Sequence, residues 1–222
     1  MMKQRIKALV RRWGWMVNFV PFYNQIRLRG CSFSRKGKPM SHCVIDCRGE
    51  GNVIELEQGG YLQDCRLYIR GNHNRIIIGR STSAIHAEFY IEDDHNQICV
   101  GENTTFAGKI HLACTEGRTI RIGDRCLFSS DITFRTGDSH SILNMDGKRI
   151  NPAQDITIKD HVWVGHKATI TKGVTVEHDS IVGTGALVSK SCTEPNVILA
   201  GVPAKVVKQQ INWDSKRLPI EE

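Results

Sequence analysis

From Ile158 the sequence reads IKDHVW VGHKAT ITKGVT VEHDSI VGTGAL VSKSCT. Every block of six opens on a β-branched aliphatic residue: Ile158, Val164, Ile170, Val176, Val182 and Val188. The fifth place is small or branched, held by Val162, Ala168, Val174, Ser180, Ala186 and Cys192. A helix repeats at 3.6 residues and a strand at 2, so a strict six belongs to neither. A fixed short period marks a solenoid. Six residues suit a short strand and a corner, and three such blocks close a triangular coil of eighteen. The first residue of each block then points inward and the fifth fills a corner. Coils stack strand on strand at about 4.8 Å.

Upstream the repeat lengthens. Ile54, Ile76, Ile98 and Ile120 each start an aliphatic triplet, at a spacing of 22. Within these units a six-step runs through Leu56, Leu62, Tyr68; Ile78, Ala84, Tyr90; Val100, Phe106, Leu112; and Ile122, Phe128, Phe134, which are read as inward. The surplus of four falls at turn-rich GNHN (71–74) and DDHN (93–96), where Gly and Asn tolerate positive φ. Larger inward residues predict a wider coil there, and the rod as a whole should hold about six coils. The six-step breaks between Phe134 and Ile158, placing one long loop at 137–155. Loops of that length in a compact fold are functional or disordered.

The net charge of +7 over 222 residues suits anionic partners such as phosphates, acidic glycans or a membrane surface. Nucleic acid is set aside, because no zinc-finger spacing, helix-turn-helix pattern or aromatic–basic motif accompanies the charge. Eight cysteines, with no convincing signal peptide and with Cys126 and Cys192 at inward places, read as free buried thiols of a reducing cytoplasm. Cys43 and Cys47 have the wrong spacing for a zinc pair, and no metal is expected.

Residues 1–50 form an N-terminal unit of a helix and cap strands, with short strands over 26–53 around a basic loop at 35–38. Lys3, Arg5, Lys7, Arg11 and Arg12 precede an apolar run from Trp13 to Phe22 that is half the length of a membrane span. It reads as a short basic, aromatic helix, lying on a membrane face or a neighbouring subunit, or capping the rod. Residues 51–193 form the coil, and 194–222 a terminal segment and a small helix or tail.

These residues resemble the hexapeptide-repeat acyltransferases over roughly 51–208. The similarity rests on the repeat, on GDSHSI (137–142) followed by DHVWVG (160–165), and on AGVPAKVV (200–207). It implies an all-β fold, the left-handed parallel β-helix. That handedness comes from the resemblance alone, parallel crossovers otherwise being right-handed. Within the family the chain looks most like the O-acetyltransferases of capsule, lipopolysaccharide and sialic-acid glycans. The resemblance implies acetyl-CoA as donor, a cytoplasmic homotrimer with clefts between subunits, and no metal.

Moving an acetyl group from a thioester to a sugar hydroxyl requires deprotonating the alcohol, and imidazole suits this at neutral pH. His140, in the long loop, matches the family's base, although any exposed loop histidine could be inert. Asp138 either orients that ring or caps the turn. Trp163, outward beside inward Val164, matches a cleft residue touching acceptor or pantetheine; it could equally pack on a second subunit. The resemblance places pantetheine amides against backbone near Gly165 and Gly185–Ala186. It also places the adenine and phosphate end near Lys190 and across Gly201, Pro203, Ala204 and Lys205. Arg149 and Asn151 are candidates for acceptor contact.

Three alternatives stand beside this reading. A zinc hydratase of the γ-carbonic-anhydrase type would share Val164-Gly165-His166, but Thr171 stands where its second histidine would be. An N-acetyltransferase of nucleotide-linked amino sugars would use the same base. A purely structural β-helix leaves the 137–142 and 200–207 motifs without a purpose.

Overall fold

The computed structural model describes residues 23–220, and among these the chain is all-β with no helix. The expected N-terminal helix lies outside the described residues. Strands stack in parallel into a three-faced solenoid of about seven turns, the left-handed β-helix. The first face runs from strand Val44–Leu56 through Arg66–Arg70, Ala87–Glu92, Ile110–Cys114, Ile132–Arg135, Thr169–Thr171 and Leu187–Val188. The second leaves the same strand through Arg75–Ile78, Gln97–Val100, Thr119–Ile122, Ile156–Ile158 and Thr175–Val176. The third stacks Tyr61–Gln63, Ser83–Ile85, Thr105–Phe106, Leu127–Phe128, Trp163–Val164, Ile181–Val182 and Ile198–Gly201. The last of these is closed by the antiparallel strand Ala204–Lys208.

The repeat is borne out where it is strictest. All six block-opening residues from Ile158 to Val188 are buried, and so are all six fifth-place residues. Register follows the longer repeat too: Ile54, Ile76, Ile98 and Ile120 stand opposite one another in successive rungs. The surplus turns carry left-handed residues at Gly71, His73, Asp93 and His95. There the structure adds a buried asparagine ladder. Asn52 Oδ1 accepts from the Asn74 amide at 2.9 Å, and Asn74 Oδ1 accepts from the Asn96 amide at 2.8 Å. Each rung thus satisfies a backbone donor that burial would otherwise orphan.

Three expectations are corrected. The coil does not begin at residue 51: Gln25–Arg35 already pairs in parallel with Val44–Leu56, which adds a turn to the six expected. Tyr68 and Tyr90 point outward. Leu67 and Ile69, and Phe89 and Ile91, take the inward places, because each strand alternates at period 2 through its own apolar pair. Cys31 and Cys47 form a disulfide, so the thiols are not all free. Cys43, Cys65, Cys114, Cys126 and Cys192 are free and buried, and burial pushes the Cys126 thiol up to about 12.

The wide upper coil is filled by rings: Phe106 stacks on Phe128 at 4.9 Å, and Phe128 meets Phe134 edge-on at 5.8 Å. Phe128→Ala empties the middle of this cluster and should cost about 3–5 kcal/mol, measured by denaturant unfolding. A loss near 1 kcal/mol would mean that the coil collapses onto the gap.

Candidate active site

The regular coil is left once on a large scale, between strands Ile132–Arg135 and Ile156–Ile158. The excursion folds back on itself: Leu143 bridges Arg149 antiparallel, and the Ile150 amide donates to the Ile142 carbonyl at 2.9 Å. Asn151, only 5% exposed, clamps its base. Its Nδ2 donates to the Asp138 carboxylate and to the His140 carbonyl, both at 2.8 Å. Its Oδ1 accepts from the Ile142 amide at 2.8 Å and from Arg149 Nε at 3.2 Å. Glu116, from a neighbouring rung, accepts from Arg149 Nη2 at 2.5 Å and from the Ala153 amide at 3.2 Å.

The Asp138 carboxylate is engaged by the Lys172 ammonium as well as by Asn151. Lys172 first, and Asn151 second, hold it below the ordinary carboxylate range. Asp138 is therefore an anchor of the loop, and no hydrogen bond joins it to the His140 ring among the described residues. Of the two roles open to it, orienting the ring and holding the turn, the contacts support the second. Arg149 and Asn151, expected at the acceptor, hydrogen-bond to each other, to the loop and, from Arg149, to Glu116 on the neighbouring rung.

Because the folded pKa lies below the unfolded value, near 3.9, the anchor's contribution is complete above that value. It is lost as pH falls through the lower, folded one. Amide-exchange protection at 137–140 should therefore stay level from pH 8 to 5 and fall only under more acidic conditions. A fall centred near pH 6 would move the anchor to a histidine.

His140 itself is exposed, and its ring makes no hydrogen bond to the described residues. It opens on a cavity of about 470 Å³ walled by Arg135, Asp138, Thr171 and Lys172. The arrangement holds an imidazole's backbone firmly while leaving its nitrogens open to a ligand. Lys172 was not foreseen, since it lies 34 residues from Asp138 and only the stacking of rungs joins them.

Trp163 is on the third face, 39% exposed, paired in register with Leu127 and Ile181. His140 stands on the loop that leaves the end of the first face, and the walls of its cavity do not include Trp163. Trp163 instead has a neighbour that sequence reading missed. The C-terminal tail, which is not helical, sets Trp213 at 6.0 Å from it, and that indole stacks on His161 at 4.2 Å. The Trp213 Nε1 donates to the His161 carbonyl at 2.9 Å.

The expected cofactor corners are present with one restriction. The amides of Gly165, Gly185 and Ala186 donate to Val182, His166 and Gly183 carbonyls at 2.7, 2.7 and 3.2 Å. Any hydrogen bond these corners lend to a ligand's amide must then be accepted by a carbonyl. A Cβ on Gly165 would meet the Thr184 amide at 2.7 Å, so the corner admits glycine for close packing of turns. Gly201, Pro203, Ala204 and Lys205 form the hairpin that closes the third face, with a cis peptide before Pro203. Lys190 and Lys205 are exposed at that end. His166 is bonded through Nδ1 to the Ser130 hydroxyl at 2.8 Å. Among the described residues no three His, Cys, Asp or Glu side chains converge as metal ligands.

No family model matches the chain. It is 34% identical over 106 residues to the galactoside O-acetyltransferase of Escherichia coli K12, covering 47% of this chain and 51% of that one. It is 35% identical over 101 residues to the polysialic acid O-acetyltransferase of Escherichia coli O1:K1, covering 45% of this chain and 32% of the relative. The matches thus span about half, or a third, of these relatives. Among solved structures, the polySia-specific acetyltransferase NeuO superposes with a TM-score of 0.80 at 26% identity, covering 88% and 83% of the two chains. The polysialic acid O-acetyltransferase OatWY gives 0.67 at 25%, covering 84% and 93%. In sequence over about half its length, and in its coil over most of it, the chain is thus similar to O-acetyltransferases that act on sugars.

Proposed function

We propose that the chain transfers an acetyl group from acetyl-CoA to a hydroxyl of a cell-surface glycan, with His140 as general base. The observation that carries this is the His140 ring, without a hydrogen-bond partner among the described residues, on a loop whose backbone is clamped by Asn151. His140 takes the hydroxyl proton as the sugar oxygen attacks the thioester carbon. The tetrahedral oxyanion collapses, the carbon–sulfur bond breaks, and the imidazolium returns the proton to the departing thiolate. No covalent enzyme intermediate is needed. The cysteine nucleophile is further disfavoured by the burial of Cys114 and Cys126.

Because Trp163 and His140 lie on different faces, a cleft holding both needs a second copy. This favours the homotrimer with sites between subunits. Lys205 is proposed to meet the phosphates of CoA at the closing hairpin. Lys205→Ala should then raise the Michaelis constant for acetyl-CoA severalfold and spare turnover at saturation. An unchanged constant would remove Lys205 from the site. The reading as a whole is tested by incubating the chain with labelled acetyl-CoA and a panel of acidic and neutral glycans, with products read by mass. Light scattering reports the assembly. Transfer to no sugar, or full activity as a monomer, would overturn the corresponding part.

A further inference from the structure

On the first face one outward column runs rung by rung through Asp46, Tyr68, Tyr90, Ala113, Arg135 and Thr171. Parallel stacking sets its members about 4.8 Å apart. Its upper part is closed. Arg70, paired with Asp46 at 2.8 Å, lies 4.0 Å over the Tyr68 ring, and Tyr68 stacks on Tyr90 at 4.9 Å.

At Ala113 the column is interrupted. A methyl group, itself only 5% exposed, stands where the rung above carries a ring, and a cavity of about 210 Å³ lies beside it. Tyr90, Glu92, His111, Thr115 and Arg135 surround it. Arg135, Gly137 and Ser139 belong to this cavity and to the one at His140, so the two adjoin across a shared wall.

The groups around the gap are polar and only partly matched. Burial first, and the Glu92 carboxylate beside it second, push the Tyr90 hydroxyl up to about 12, so it stays a neutral phenol. His111 is committed through Nδ1 to Glu88 at 2.9 Å. Arg135 donates to the Ser139 hydroxyl at 2.9 Å and has no carboxylate partner among the described residues. A guanidinium with one neutral partner keeps donors for a planar, two-oxygen anion. Glu92 and the phenol can in turn exchange hydrogen bonds with hydroxyls. An unmatched guanidinium beside hydroxyl-binding groups, in a gap one side chain wide, suits a sugar ring bearing a carboxylate.

We infer that the gap over Ala113 is a second acceptor subsite, holding the acidic sugar unit next to the one presented to His140, with Arg135 taking its carboxylate. The inference rests on the acetyl-transfer reading of the His140 cavity, and it names the acceptor as a chain of acidic sugars.

Two variants of the full chain test it. Ala113→Tyr continues the tyrosine column and fills the gap, and Arg135→Gln removes the charge. Binding of a sialic acid tetramer, titrated without acetyl-CoA, should weaken at least tenfold in each. In turnover, the ratio of kcat/KM for the tetramer to that for the monomer should fall by a similar factor. Unchanged tetramer binding in both variants overturns the subsite. Loss of subunit association in Ala113→Tyr by light scattering also overturns it, since a second copy would then cover the column. Were the parent chain to bind the tetramer, the variants to lose it, and no acetyl to be transferred, the subsite would stand and the transferase reading would fall.

Discussion

His140→Ala should lower turnover by roughly 10²–10⁴-fold, the usual worth of a general base. Acetyl-CoA binding should barely change, because the imidazole meets the reacting atoms and not the nucleotide. The rod should melt where the parent does, since the ring makes no hydrogen bond to the described residues and lies outside the core. His140→Asn offers a second measurement, keeping polarity and size without a base. Turnover within a few-fold of the parent in both variants would defeat the mechanism. Suspicion would then pass to His161, which is hydrogen-bonded to Asp179 at 2.7 Å, or to His166. Paired with Lys205→Ala, the experiment separates chemistry from cofactor capture within one assay.

Asn151→Leu should cost about 10²-fold in turnover by a different route. The change keeps the branched shape at a somewhat larger volume and removes all four side-chain hydrogen bonds that fix the loop's base, including the one to the His140 carbonyl. A displacement of about 1 Å in a catalytic group is enough for a loss of that size. The readout distinguishes positioning from binding. A positioning residue lowers kcat and leaves the acceptor's Michaelis constant near its parent value, whereas a direct acceptor contact raises that constant. A large rise in the constant with kcat spared would restore Asn151 to the acceptor site and remove it from the clamp. Asn151→Asp serves as a control. It keeps the acceptor for the Ile142 amide but sets a second carboxylate against Asp138, so it should not rescue.

The loop shows where sequence reading stops. A gap of 24 between Phe134 and Ile158 announces an excursion, and the motif within it points to His140. The wiring of that excursion is not written locally. Lys172 reaches Asp138 and Glu116 reaches Arg149 across 34 and 33 residues, because stacked rungs make neighbours of distant positions. The side-chain partners of Asp138, Arg149 and Asn151 therefore come into view only with the fold. Trp213 was missed for the same reason. Nothing near residue 213 signals that the tail folds back over His161.

By itself the sequence determined the repeat, the inward residues from Ile158 to Val188 and the place of the loop. Each is a local pattern, imposed by strands that must bury every second residue and corners with room for a small one. The tertiary structure decided the phase at Tyr68 and Tyr90, where aliphatic residues on both sides satisfy either reading and only packing chooses. It decided the start of the coil at Gln25 and the Cys31–Cys47 bond, which depend on which rung lies against which. It also placed His140 and Trp163 on separate faces, which no linear spacing reveals. In a solenoid the intervals along the chain set the shape of one turn, and contacts between turns set the chemistry of the surface.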